Sequence, residues 1–366
     1  MKRACKCTVI GLALFGIAAY TVSVVSGSDY TEAKQKNDTA AQSIIETETD
    51  KFFKNAEYTD IDTCEAETCD TVIKEIQNLA MCYPQLIKEK TVGVSQTGRN
   101  IPAFTLGSGQ RNVLIIGGIH AREHITAKFI MCCVQDYCRA YYSDGGMFND
   151  YNVRTLLDTF TVTVIPCLNI DGADIILADL SPAEFVYVQD ITEYKANYNG
   201  VDLNRNFPFL WDELDTGVYE ASEYLYKGNS PASESETQTV MDLCESVDFE
   251  FAISFHIRGN VIYWDDCATE HDNSMYSYFA ERLSAVSGLE MLSPETDISM
   301  YAGAFEDWFR NTYGKPGFCV ELMSTDICVT PEDNTNYIDF SDVTEYENTV
   351  NIILEGLCAS VEYENN

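Results

Sequence analysis

Basic residues are scarce in this sequence. Its 366 residues include 23 Lys and Arg against 58 Asp and Glu, which gives a formal net charge of -35. Binding to nucleic acid depends largely on clustered Lys and Arg, so this balance argues against a nucleic-acid-binding protein. The acidity does not indicate a disordered tail either, because 46% of the residues are apolar and 12% are aromatic. We therefore expect a folded acidic protein that does not bind nucleic acid.

Long apolar runs are also scarce, and the one that stands out lies at the N-terminus. Residues 8–25 are uncharged and follow the basic residues Lys2, Arg3 and Lys6. This pattern predicts a secretory signal peptide over residues 1–27, or an uncleaved membrane anchor, because an uncharged stretch of 18 residues reaches the lower limit for a membrane span. A buried core helix is disfavoured, since the run lacks polar positions for a wet face. Both main interpretations predict a protein that is secreted or anchored to the outer face of the cell membrane.

Cysteines are too few to replace a hydrophobic core. The 14 cysteines are about 4% of the chain, below the more than ~8% that is typical of small disulfide scaffolds. Export makes disulfides possible, and Cys64 and Cys69 are close enough in sequence to form a small loop. Cys132, Cys133 and Cys138 fall in an apolar helical stretch and are expected to be buried thiols. The sequence does not fix the pairing.

The chain beyond the N-terminal run divides into two parts. Residues 28–61 are polar without a strong apolar period, which predicts a linker. From residue 62 to 362, apolar strands alternate with amphipathic helical stretches, and we find no internal repeat or hinge. That alternation predicts a single α/β domain with a largely parallel sheet.

Four short apolar runs predict buried strands, and chemically active residues follow three of them. The run at 113–116 leads through Gly117 and Gly118 to His120, the run at 251–255 ends at His256, and the run at 318–320 ends at Glu321. The fourth run is 162–165. Ligands of open α/β sheets bind beyond the carboxyl ends of the strands, so we expect these side chains to converge.

Histidine is rarer still: His120, His124, His256 and His271 are the only four. The stretch His120-Ala121-Arg122-Glu123-His124 contains both HxxE and HxxxH spacings, but Ala121 excludes the HExxH signature of a zincin. Two HxxE ligands and a third from a distant strand would leave a fourth position open for water, as in catalytic zinc sites. HxxE alone is a weak signal.

Further motifs strengthen the prediction of a catalytic zinc site. The residues His120-x-x-Glu123, 200–207 (GVDLNRNF), Ser254-Phe255-His256, Asp307-Trp308 and 318–322 (FCVEL) occur in this order. This set resembles the zinc carboxypeptidases of the carboxypeptidase A and B type over residues 70–360. The resemblance implies a mixed, twisted sheet with helices on both faces, and one Zn²⁺ ion.

The resemblance also implies roles for individual residues. His120, Glu123 and His256 would hold zinc, and Glu321 would be the general base. The substrate is then a peptide with a free C-terminal carboxylate, which a planar guanidinium can bind through two parallel hydrogen bonds. The remaining implied roles are substrate contacts for Asn204, Arg205 and Arg122, and a hydrogen bond from the first zinc-bound histidine to Asp202.

Three positions depart from the family pattern or define its specificity. Lys195 stands where the family usually has an arginine that stabilises the oxyanion. Tyr301 is the counterpart of a tyrosine that closes over substrate, but it lies two residues too near Asp307-Trp308. Glu306 occupies the position that sets side-chain preference, so the resemblance implies a cationic C-terminal residue in the substrate.

The stretch after His256 narrows the resemblance. FHxRGxxIYW, with Arg258, resembles bacterial members that cleave γ-D-glutamyl bonds to a diamino acid in peptidoglycan stem peptides. A diamino acid with a second carboxylate would suit a Glu306 and Arg258 pair by charge complementarity. The sequence thus predicts an exported zinc metallocarboxypeptidase that acts on stem peptides of the cell wall or on other peptides whose last residue is cationic or a diamino acid. The alternatives are a nutritional B-like carboxypeptidase and an inactive zinc-fold binding module.

Overall fold

A computed structural model describes residues 61, 68–177, 180–266, 273–292, 302–323 and 343–364 of the chain. The expected signal or anchor and nearly all of the expected linker lie outside these residues, so both remain predictions. Within the described part of the chain, no helix is long and apolar enough to cross a membrane.

Helices and strands alternate along most of the described chain. In order they are α1 (Cys69–Cys82), β1 (Ile87–Val94), β2 (Asn100–Gly107), β3 (Arg111–Ile116), α2 (Ile125–Tyr142), β4 (Met147–Phe148), β5 (Tyr151–Asn152), α3 (Val153–Thr159), β6 (Phe160–Ile165), α4 (Ile170–Ile176), α5 (Ser235–Ser246), β7 (Phe249–Ile257), β8 (Val261–Tyr263), α6 (Ser274–Ser287), β9 (Glu290–Leu292), α7 (Phe305–Tyr313), β10 (Gly317–Leu322), α8 (Val343–Thr349) and α9 (Ile352–Tyr363).

Eight of these strands form one mixed sheet in the order β1-β2-β6-β3-β7-β10-β8-β9. The four central strands, β6, β3, β7 and β10, are parallel to one another, and β2 and β8 flank them in antiparallel pairs. The four apolar runs recognised in the sequence are these four central strands. Strands that are buried on both faces consist of continuous apolar residues, so these four strands could be recognised in the sequence.

Helices cover both faces of the sheet, and β7 shows this through its alternating side chains. On one face, Phe255 packs against Phe129 of α2 and Phe251 against Phe279 of α6, with ring centroids 5.0 and 5.5 Å apart. On the other face, Ser254 hydrogen-bonds to Glu306 of α7. The predicted α/β fold with a mixed sheet and helices on both faces is confirmed.

The chain turns sharply after β3, and glycine permits the turn. Gly118 has φ of +55°, and a Cβ there would lie 2.7 Å from the Cys167 sulfur. A side chain is excluded on both counts. The turn delivers His120 to the short 3₁₀ turn Ala121–Glu123, which precedes α2.

The cysteines of the described residues are free thiols. Cys133 and Cys138 are buried in α2, as expected, and Cys132 is half-buried. Cys69 is a buried thiol at the start of α1, whereas Cys64 lies outside the described residues.

Candidate active site

Three side chains from two distant parts of the chain meet at the carboxyl ends of the central strands. One ligand atom from each of His120, Glu123 and His256 lies within 4.8 Å of the others, and all three residues are buried. His120 and Glu123 come from the loop after β3, and His256 from β7. The expected convergence is therefore found. The strands continue one residue beyond His256 and Glu321, to Ile257 in β7 and Leu322 in β10.

The geometry of this trio fits a zinc ion. The Nδ1 atoms of His120 and His256 lie 3.3 Å apart, which matches the separation of about 3.3 Å for two nitrogens on one tetrahedral zinc. The Glu123 oxygens lie 2.9 Å from each of these nitrogens. Three protein ligands leave a fourth position for water or substrate.

Asp202 holds the outer nitrogen of the first histidine. Its Oδ1 lies 3.1 Å from Nε2 of His120, and Asp202 is buried. An N–H at Nε2 leaves Nδ1 free to bind metal, so this contact fixes the tautomer that zinc requires. Burial alone would raise the pKa of Asp202, but His120 outweighs it and holds that pKa well below its usual value.

Neighbouring charges outweigh the effect of burial on the pKa values of Glu123 and His256. Burial alone would raise the pKa of Glu123, yet His120 and Lys195 hold it well below the usual value, so this carboxylate is charged. Burial would lower the pKa of His256, but Glu123 and Glu306 raise it to about 10. Negative charge thus surrounds the place where a cation would sit.

Glu321 lies beside the trio because β10 runs parallel to β7. It is the register partner of His256, so the two side chains stand next to each other on the sheet. Its Oε2 is buried and has no hydrogen-bond partner. Burial, and then the Glu123 carboxylate, raise the pKa of Glu321 to about 7. A carboxylate with this pKa can take up and return a proton near neutral pH.

The Asn-Arg pair is attached to the metal ligands through Asp202. Asp202 accepts a hydrogen bond from the backbone N–H of Asn204 at 3.1 Å, which caps the 3₁₀ turn Leu203–Arg205. The Asn204 side-chain oxygen accepts from the Phe305 backbone N–H at 2.8 Å. Arg205 donates to the Asn204 carbonyl at 2.7 Å, and its Nε is buried without a partner.

Two more cations expected at the site have carboxylate neighbours. The Lys195 ammonium lies 3.3 Å from Oε1 of Glu123, so it reaches the metal ligands. Arg122 donates to Glu193, an exposed partner that the sequence did not single out. The backbone N–H groups of Ala121 and Arg122 donate to the carbonyls of Lys195 and Tyr194, which holds the two segments side by side.

Glu306 lies on the far side of His256 from Glu123. It is buried, hydrogen-bonds to Ser254, and has its Oε1 3.6 Å from Nε2 of His256, beyond hydrogen-bond distance. Its other oxygen is 3.5 Å from the Asn204 amide nitrogen. Burial alone would raise the pKa of Glu306, but His256 and Ser254 lower it to about 2. The carboxylate is therefore ionised next to the Asn-Arg pair.

Two residues near Glu306 lie within the sequence motifs but were given no role there. Ser254 hydrogen-bonds to Glu306, and the Cys319 thiol lies within 4.8 Å of ligand atoms of His256 and Glu306. A usable signal existed, because Ser254 is two residues from His256, and Cys319 is two residues from Glu321. Side chains two apart on a strand share a face.

The remaining predicted residues are not assembled in the same way. Arg258 is half-buried directly after β7, and Tyr301 and His271 lie outside the described residues. His124 is buried but does not belong to the ligand trio, and neither of its ring nitrogens has a hydrogen-bond partner. Burial, and then Lys128, lower the pKa of His124 to about 4. HxxE, and not HxxxH, therefore describes the ligand pair.

Comparison with known proteins agrees with this geometry. A family model described as zinc carboxypeptidase matches residues 72–339. The chain is 29% identical to gamma-D-glutamyl-L-diamino acid endopeptidase 1 of Lysinibacillus sphaericus over 78% of this chain and 71% of the relative. It is 28% identical to carboxypeptidase B of Astacus astacus over 70% of this chain and 86% of the relative.

Solved structures show the same fold. The carboxypeptidase A of Helicoverpa armigera superimposes with a TM-score of 0.63 and 17% identity, covering 89% of this chain and 82% of that structure. The family match spans most of the described residues and includes the ligand trio. The chain therefore belongs to the zinc carboxypeptidase family, whose members are peptide-bond hydrolases that use one zinc ion.

Proposed function

We propose that this protein is an exported metallocarboxypeptidase that removes a cationic or diamino residue from the C-terminus of peptides, including peptidoglycan stem peptides. The observation that carries the proposal is the buried trio His120, Glu123 and His256 with Glu321 in register beside it. A structural zinc site would be closed by a fourth protein ligand. Here the neighbour is a carboxylate with a raised pKa.

The proposed reaction divides the work among the residues of the site. His120, Glu123 and His256 would hold the zinc ion, which would supply Lewis acidity at the scissile carbonyl and would lower the pKa of water towards ~7. Glu321 takes a proton from the attacking water and returns it to the leaving amine. Lys195 stabilises the negative charge that develops on the carbonyl oxygen.

Asn204 and Arg205 hold the free carboxylate of the substrate in this proposal. The unpartnered Nε of Arg205 supports the assignment, because a buried guanidinium N–H without an acceptor is costly until a ligand supplies one. A guanidinium also matches a carboxylate through two parallel hydrogen bonds. This contact would restrict cleavage to the last residue.

Glu306 selects the side chain of that last residue. It is ionised and buried near Asn204, so a cationic side chain entering here would find a desolvated negative charge. A diamino acid supplies such an amine. The printed name of the Lysinibacillus sphaericus relative refers to a diamino acid, which supports this substrate class. Arg258 would meet a second carboxylate on the same residue.

A B-like carboxypeptidase of ordinary peptides is the second candidate. Similarity to the Astacus astacus carboxypeptidase B favours it. Both candidates use the same catalytic residues and differ in the residue and bond that they cleave.

A substrate panel separates the candidates. We would load the purified protein with zinc and compare release of the last residue from three peptides: one ending in Lys, one ending in Phe, and a γ-D-glutamyl stem peptide ending in a diamino acid. We expect the stem peptide to give the highest kcat/KM and Lys to exceed Phe. Glu306→Gln should reduce the Lys-to-Phe ratio, and a wild-type preference for Phe would contradict the role of Glu306.

Export is a separate part of the proposal and rests on the N-terminal sequence. Expression of the whole chain with its residues 1–27, followed by cell fractionation and mass analysis, tests it. A product outside the cytoplasm that begins near residue 28 indicates cleavage, and a full-length product in the membrane fraction indicates an anchor. A full-length product in the cytoplasm contradicts export.

A further inference from the structure

Large exposed aromatic side chains are concentrated in one part of the described chain. Phe185, Tyr187, Tyr219 and Tyr224 are 66, 73, 75 and 41% exposed. The other strongly exposed large apolar residues of the described ranges are aliphatic: Met81, Val94 and Met147. Exposed aromatic rings that lie close together usually mark an interaction surface.

Two loop segments bring the backbones of three of these aromatic residues, Phe185, Tyr187 and Tyr224, near one another. Tyr187 pairs with Ser222 in an isolated parallel β-bridge. Phe185 lies two residues before Tyr187, and Tyr224 two residues after Ser222. Two residues span at most about 7 Å of chain, so the backbone positions of the aromatic residues lie near one bridge. We call Glu184, Phe185, Tyr187, Glu220 and Tyr224 the aromatic-acidic surface.

The buried side of this surface contacts chain segments that carry active-site residues. Val186 and Val188, which alternate with the exposed rings, pack against a buried cluster that includes Ala121 and Tyr194. Ala121 lies between His120 and Arg122. On the second segment, the Leu225 backbone N–H, next to Tyr224, donates to Asp202 at 3.2 Å. A ligand on the surface would therefore lie beside the active site.

The charge of the two segments has one sign. Residues 180–194 and 209–226 contain no Lys or Arg. Glu193 is paired with Arg122, and Glu223 is buried and accepts backbone N–H groups of residues 189 and 190. Glu184, Asp190 and Glu220 are exposed, and in the sequence Glu184 directly precedes Phe185 and Glu220 directly follows Tyr219. The surface should repel anions and attract cations.

We propose that the aromatic-acidic surface binds a Lys- or Arg-rich segment of polypeptide substrates, upstream of the bond that is cleaved. A cation over an exposed aromatic ring is attracted by the ring face, and neighbouring carboxylates add to that attraction. A neutral sugar would use the rings but leave the charges without a role. The proposal deepens the proposed function and rests on it, because it names the upstream part of the polypeptide substrates, as distinct from stem peptides, that the same site processes.

Paired peptides test the surface in the full, zinc-loaded chain. The peptides share their last three residues and carry either three Lys or three Gln immediately upstream. Two cation–π contacts predict a roughly tenfold higher kcat/KM for the Lys peptide at low salt, mainly through KM. The Lys-to-Gln ratio of kcat/KM should be smaller at about 0.3 M salt, which is above physiological ionic strength, because exposed charges are then screened. The same ratio should approach one in the variants Tyr187→Ser, Tyr224→Ser and Glu220→Gln.

Control variants separate the surface from general effects of substitution. Met81→Ser removes an equally exposed apolar side chain elsewhere, and Glu245→Gln removes an exposed charge from α5. Both should keep the Lys-to-Gln ratio of the wild type. Equal kcat/KM for the two peptides in the wild type would overturn the proposal.

Direct binding makes the outcome independent of catalysis. Fluorescence anisotropy with a labelled oligolysine peptide and an oligoglutamine peptide measures the surface even if no peptide is cleaved. Binding of oligolysine that weakens in Tyr187→Ser and in Glu220→Gln supports the surface, and absent peptidase activity would then count only against the proposed function. Salt-independent binding of chitin oligosaccharides that needs the tyrosines but not Glu220 would identify a sugar platform and overturn the assignment to cations.

Discussion

Replacing Asp202 with Asn should weaken zinc binding while preserving the shape of the side chain. Asp202 accepts three hydrogen bonds, of which the first two are buried and the third is partly buried: from His120 Nε2 at 3.1 Å, from the Asn204 N–H at 3.1 Å and from the Leu225 N–H at 3.2 Å. An amide has one acceptor oxygen and one NH₂ group. Either orientation therefore places an NH₂ donor against at least one of these N–H donors.

The magnitude follows from that count. One buried donor left without a partner costs about 1–3 kcal/mol of folding free energy. Loss of the carboxylate behind a metal-binding histidine typically lowers metal affinity by about 10–100-fold, because the histidine is less basic and less well oriented. We expect both effects in Asp202→Asn.

Zinc affinity and stability can be measured separately on the same samples. A competing chelator gives the zinc dissociation constant, and urea unfolding in the absence of zinc gives the folding free energy. Asp171 offers a matched control, since it is fully buried and accepts bonds from the Thr97 N–H, the Thr97 hydroxyl and Arg99. Asp171→Asn should lose stability but keep its zinc affinity. If both variants changed zinc affinity equally, or neither did, the reasoning about Asp202 would be wrong.

Two further predictions concern buried charges away from the metal. Burial raises the pKa of Glu236 to about 7, and the nearby Glu234 carboxylate raises it further. The folded chain therefore keeps a proton on Glu236 that the unfolded chain releases near pH 4.5. The contribution of this group to folding stability thus falls as the pH rises from about 4.5 to 7. Glu236→Gln removes this ionisation, so thermal unfolding from pH 5 to 8 should show less destabilisation with rising pH than in the wild type, by up to about 3 kcal/mol across that range; an unchanged profile would contradict it. Lys128, fully buried, lies 2.8 Å from Glu75, so Lys128→Met should cost about 3–5 kcal/mol by leaving a buried carboxylate uncompensated. Lys128→Met combined with Glu75→Leu should recover part of that loss in urea unfolding, and a strictly additive double variant would argue against the pairing.

The sequence predicted the centre of the fold better than its edges. The four central strands were visible because burial on both faces requires continuous apolar runs such as VLII and FAISF. The edge strand β1 contains Lys88, Glu89 and Lys90, all exposed, so its composition gave no such signal. Strand β8 has only three residues and β9 also three, which is too short for an alternating pattern to be recognised.

The metal ligands and the general base were predictable because their spacing in the sequence determines their position in the site. HxxE and the strand-end positions of His256 and Glu321 led to the correct cluster, because the carboxyl ends of neighbouring parallel strands meet at one edge. Contacts made through loops were not predictable. The pairing of Arg122 with Glu193 depends on the tertiary position of the 3₁₀ turn Ile191–Glu193, and no local pattern encodes it.

The most direct test of the central claim compares zinc-loaded wild type with zinc-loaded Glu321→Gln on one C-terminal Lys peptide, with metal content measured on the same samples. Glutamine keeps the size of the side chain but cannot take a proton from water. We expect one zinc ion per chain in both proteins, and a kcat about 10²–10⁴-fold lower in the variant. Equal kcat in the two proteins would contradict the assignment of Glu321 as the base beside the metal site.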